Sequence, residues 1–150
     1  MALVEYVYRP SDDIENLLEE ASNPQLADPI KVILLYTYFE KVSANVIVAS
    51  GERKLKAILC RLSSKKRINR ALAILRKGGF LSEDEYKAIR RVARVLRCLR
   101  NTFLHQVCES SCPSIDLGEA INVARLFSLR AREYIDKVLN SWSVDSPKSL

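Results

Sequence analysis

No stretch of this sequence alternates apolar and polar residues long enough to make a convincing strand; VEYVY at residues 4–8 is the nearest approach. Glycine occurs four times and proline five, mostly at the edges of apolar runs, so no low-complexity tract or internal repeat divides the chain. The four cysteines, Cys60, Cys98, Cys108 and Cys112, are too few and too unevenly spaced for a secreted disulfide scaffold. An intracellular disulfide, as hyperthermophile proteins carry, stays compatible with them. The longest apolar run, within residues 30–49, contains Lys31, Glu40 and Lys41 and reads as a poor membrane span. The opening MALVEYVYRP has neither a basic leader nor a long apolar region, which argues against a secretory signal and for a cytoplasmic protein without a membrane partner.

What remains is enough for one globular domain: 150 residues, 48% hydrophobic and 28% charged. The pattern predicts a single all-α domain, a four- to five-helix up-and-down bundle. Residues 1–27 form an N-terminal arm and a short helix, 28–142 the bundle, and 143–150 a flexible tail. Ser11 and the acids after it cap a helix over 12–21. Asp28-Pro29 opens a second, apolar on most sides, that stops at Ser50-Gly51 and takes the centre of the fold. Residues 52–62 and 65–77 read as two basic helices or one bent at Ser63-Ser64, ended by Gly78-Gly79. Ser82 to Glu85 is a capping box opening a helix to about Val107. Residues 108–115 form a loop, and Asp116 caps a last helix to about Trp142.

Positive charge is concentrated. The net charge is +6, yet residues 53–77 hold ten Lys and Arg with one acid, Glu52, at their edge, and residues 87–100 add six with none. The acids gather at 12–20 and 83–85. One part of the surface is therefore strongly positive, and nucleic acid is the commonest partner for such a surface. Arg90, Arg94 and Arg97, with Lys65, Lys66 and Arg67, are the candidate RNA-binding residues.

On a helical wheel Ile89, Val92, Val95, Leu96, Leu99, Phe103 and Val107 share one arc, while Arg90, Arg94, Arg97, Asn101 and the lone histidine, His105, share the other. A solvated polar face explains the second arc. It does not explain Arg100, which falls among apolar residues although a guanidinium is always charged and costly to bury alone. Arg100 either snorkels to the bundle's edge or faces a cleft or subunit interface that supplies a partner. It lies about 140° from His105 on a straight helix, so the two could flank a groove but not share one face. Glu40 reads as a carboxylate paired with an arginine, or as a further site residue. Tyr36, Tyr38, Phe39, Phe103, Phe127 and Tyr134 read as core.

The run Arg100-Asn101-Thr102-Phe103-Leu104-His105 resembles the motif of the HEPN superfamily: arginine, a polar residue, three more residues, then histidine near a helix end. The order of helices over residues 28–140 is also similar to that of this superfamily. The resemblance implies a homodimeric, metal-independent endoribonuclease, toxin or defence effector, with no cofactor. It assigns His105 as general acid or base, Arg100 as the phosphate-binding cation and Asn101 as an orienting residue. RNA carries its own 2′-hydroxyl nucleophile, so a near-neutral base and a cation can suffice. The resemblance also implies an antitoxin or nucleotidyltransferase partner. In the subgroup paired with a minimal nucleotidyltransferase a tyrosine often stands two residues after the histidine; Val107 stands here, so neutralisation by modification at that position is not expected. Two other readings stand beside it: a metal site on Cys98, His105, Cys108 and Cys112, and a non-catalytic helical protein binding RNA or a protein partner through its basic face.

Overall fold

The computed structural model describes residues 12–51, 63–105 and 111–145. Five α-helices follow one another, α1 (Asp12–Ala21), α2 (Asp28–Ala49), α3 (Ser64–Lys77), α4 (Glu83–His105) and α5 (Leu117–Asp145), with no strand among the described residues. The all-α expectation is met. The VEYVY stretch, the basic segment 52–62 and Cys108 lie outside the described residues.

Helix α2 packs against each of the other four. Its sequence requires that position, because Val32, Leu35, Tyr36, Tyr38, Phe39, Val42, Val46 and Ile47 point in nearly every direction and all are buried. By length and composition α2 could cross a membrane, which its charges had argued against; here 56% of its most apolar window is buried inside the bundle. The other helices contribute one face each: Ile14 and Leu18 from α1, Ile68, Leu72 and Leu75 from α3, Ile89, Val92 and Leu96 from α4, Ala120, Ala124 and Phe127 from α5. Phe39 and Phe127 meet at the centre with ring centroids 5.4 Å apart.

Local chemistry fixes the helix ends. Gly79, at φ 81°, takes the left-handed turn that closes α3, with the Phe80 N–H donating to Leu75 and the Gly79 N–H to Arg76, a Schellman pattern. The Ser82 hydroxyl accepts from the Glu85 N–H at 3.1 Å while the Glu85 carboxylate accepts from the Ser82 N–H at 3.0 Å, the expected capping box. Asp116 caps α5 through the Gly118 N–H. Two boundaries shift. Asp28 is the first residue of α2, after an N-cap at Ala27 without side-chain capping, and α5 continues past Trp142 to Asp145.

Phe103 departs from the core expectation and is 38% exposed, with Leu104 beside it at 56%. The packed residues of α4 end at Leu99, so the last turn of the helix extends beyond the core.

Candidate functional site

Three elements build the surroundings of Arg100. Its guanidinium lies over the Tyr36 ring, 4.3 Å from the centroid. One terminal nitrogen donates to Glu40 Oε1 at 3.4 Å and the other to Asn101 Oδ1 at 3.1 Å. Glu40 and Tyr36 stand four apart on α2 and so present a carboxylate and an aromatic face to the same spot. Arg100 and Glu40 are about three-quarters buried, at 23% and 25% exposure. The Tyr36 ring is fully buried and its hydroxyl shares a 2.8 Å hydrogen bond with Ser64 Oγ at the start of α3. Burial pushes the Tyr36 phenol above its ordinary range, while the Ser64 hydrogen bond and then the Arg100 charge hold the rise back.

Arg100 therefore finds its counter-charge inside one chain. An arginine set in an apolar arc demanded a partner, and Glu40 and Tyr36 supply it without a second subunit. The Arg100 Nε remains buried and unpaired, so the guanidinium is not saturated.

Tyr36 also borders a narrow groove between α3 and α4, lined besides by Lys65, Ile68, Asn69, Arg90, Ala93, Arg94 and Arg97. Among the described residues none of Lys65, Arg90, Arg94 and Arg97 has an acidic partner, whereas Arg76 and Arg91 are taken up by Glu83 and Glu119. Arg90, Arg94 and Arg97 follow the four-and-three spacing of one helix face, and the row extends about 10 Å at 1.5 Å per residue. Of the six basic residues singled out in the sequence, the groove brings together four; Lys66 is exposed outside it, and Arg67 is half-buried outside it.

His105 is the last residue of α4; its side chain lies outside the described residues. Its backbone places it five residues beyond Arg100, so the two directions differ by about 140° around the helix.

The metal reading loses two of its four candidate ligands. Cys98 and Cys112 are joined in a disulfide, which removes both thiolates from the set Cys98, His105, Cys108 and Cys112. Metal-bound sulfur must be thiolate, and Cys108 lies outside the described residues. The bond ties the segment before α5 to α4, two residues from Arg100, and encloses the whole Arg100–His105 stretch. Sequence spacing offered no signal for this pairing, since four cysteines allow three pairings. The sequence predicts an arginine partner for Glu40 without saying which; the stacking of Arg100 on Tyr36 has no signal in it, because an aromatic in an apolar helix reads as core.

Fold and site define a basic all-helical protein with an arginine-lined groove beside a half-buried Arg100. The chain matches no protein family, no curated protein and no solved structure.

Proposed function

We propose that this protein is a HEPN-like, metal-independent endoribonuclease that works as a homodimer in the cytoplasm, its up-and-down helical bundle presenting Arg100, Asn101 and His105 to RNA. One observation carries the reading. Tyr36 carries the Arg100 guanidinium over its ring and also borders the groove with four unpaired cations. Positive potential thus runs from an exposed phosphate-binding face to the arginine of the motif, which suits single-stranded RNA.

In this mechanism His105 removes the proton of a 2′-hydroxyl, whose oxygen attacks the neighbouring phosphorus. The bond to the 5′-oxygen breaks and that oxygen takes up a proton from solvent, leaving a 2′,3′-cyclic phosphate and a 5′-hydroxyl end, while protonated His105 returns its proton to solvent. Arg100 offsets the charge that gathers on the phosphoryl oxygens, and Asn101, accepting from the same guanidinium at 3.1 Å, fixes its direction. Glu40 is a positioning residue that holds Arg100 over Tyr36.

A second reading, RNA binding without cleavage, has its own support: the contact with Glu40 at 3.4 Å offsets part of the charge of Arg100 before any substrate arrives. The two separate on incubation of labelled RNA in EDTA with wild type and with His105→Ala. Cleavage by wild type alone supports the nuclease. Binding without cleavage by either supports the second reading, and equal cleavage by both refutes the role of His105.

A further inference from the structure

The face of α2 that carries Tyr38, about 200° around the helix from Tyr36, holds a second polar feature. A cleft of about 380 Å³ opens between α1, α2 and α5, lined by Glu15, Tyr38, Arg125, Ser128, Leu129 and Arg132. We infer that this cleft binds a small oxyanion, a phosphate monoester, through Arg125, Arg132, Ser128 and the Tyr38 hydroxyl.

The Tyr38 hydroxyl is the primary observation. The residue is fully buried, yet its oxygen has no hydrogen-bond partner, in a setting where buried hydroxyls are nearly always paired. The groups acting on it are Ser128, Glu15, Arg132 and Arg125, every one a lining residue of the cleft. Burial raises the phenol, and Ser128 is the group that most counters that rise. Burial keeps the phenol protonated, so it offers a proton to an acceptor.

Charge is the second observation. Arg125, Ser128, Leu129 and Arg132 stand at i, i+3, i+4 and i+7 on one face of α5. Glu15 holds Arg132 at 3.3 Å, with both side chains about half exposed, while Arg125 has no acidic partner among the described residues. Two guanidinium groups and one carboxylate leave the cleft with a single positive charge. An oxyanion there meets the fork of Arg125, the free nitrogens of Arg132, the Ser128 hydroxyl and the orphaned phenol. Leu129, 51% exposed, forms an apolar shoulder for the organic part of an ester.

The test is the thermal unfolding midpoint of the full chain against rising inorganic phosphate and, separately, adenosine 5′-monophosphate, with sodium chloride at matched ionic strength as the reference. Both anions raise the wild-type midpoint above the reference, the ester more than phosphate because it also uses Leu129. Tyr38→Phe leaves the ligand-free midpoint unchanged or higher and weakens the response about tenfold. Arg125→Ala abolishes the response, Glu15→Gln strengthens it by removing the competing carboxylate, and Arg94→Ala, in the other groove, leaves it intact. No wild-type response beyond the salt reference overturns the inference. So does a response that survives in Tyr38→Phe and Arg125→Ala at wild-type strength, or one lost in Arg94→Ala, which would assign the anion to the α3–α4 groove.

Discussion

Removing Glu40 tests how Arg100 is held. Glu40→Ala leaves a guanidinium three-quarters buried, stacked on Tyr36 but without its carboxylate. Loss of a partner costs ~3–5 kcal/mol for a fully buried pair and ~0–1 kcal/mol for an exposed one. A pair with about a quarter of each side chain exposed and a long contact of 3.4 Å falls between, so the expected loss is about 1–2 kcal/mol. Arg100→Ala loses the same pair and the cation–π contact, about 2 kcal/mol together. Because the two share one interaction, the double variant costs less than the sum, with a coupling of about 1 kcal/mol. Urea unfolding followed by circular dichroism measures all four proteins. Additivity within ~0.3 kcal/mol would refute the claim that Glu40 and Arg100 act as a unit. Glu40→Gln adds a functional readout: with the competing charge gone, Arg100 binds phosphate more strongly, and affinity for single-stranded RNA rises.

Glu85 both caps α4 and accepts from Arg130 at 2.8 Å, and chiefly that hydrogen bond holds its carboxyl below the ordinary glutamate range. A lowered folded value means stability present above the unfolded pKa and lost as pH falls through the folded one, so the unfolding midpoint of wild type drops more steeply in acid than that of Glu85→Gln. Reducing Cys98–Cys112, 14 residues apart, frees loop entropy worth about 3 kcal/mol, a midpoint lower by about 6–12 °C; dithiothreitol then leaves Cys98→Ser/Cys112→Ser unaffected. In the α3–α4 groove Arg94→Ala lowers the slope of log affinity for single-stranded RNA against log salt by about 0.7, and neutralising Arg90, Arg94 and Arg97 together lowers it by about 2. An unchanged slope would place the phosphates elsewhere.

What the sequence disclosed divides by distance along the chain. The Ser82–Glu85 capping box, the Gly79 turn and the Asp116 cap depend on residues within five of one another, and their chemistry is written locally. The charged stripe on α4 was legible for the same reason, since helical spacing alone aligns Arg90, Arg94 and Arg97. Arg100 announced a need for a partner through its place in an apolar arc. That the partner is Glu40, sixty residues away, depends on how α2 and α4 pack. Phe103 read as core because its spacing continues that of Leu96 and Leu99, but periodicity does not say where the neighbouring helices stop. Tyr36 and Tyr38 were legible as buried but not as differently partnered: two aromatics on one apolar helix look alike until one hydroxyl meets Ser64 and the other has no hydrogen-bond partner.

The central claim is that the Arg100–His105 stretch cuts RNA with the RNA's own 2′-hydroxyl. Its most direct test is the chemistry of the ends of fragments released from labelled RNA in EDTA. The account predicts 2′,3′-cyclic phosphate and 5′-hydroxyl ends from wild type and no fragments from His105→Ala. Intact RNA with wild type, fragments ending in 3′-hydroxyl and 5′-phosphate, or fragments that persist in His105→Ala would contradict it.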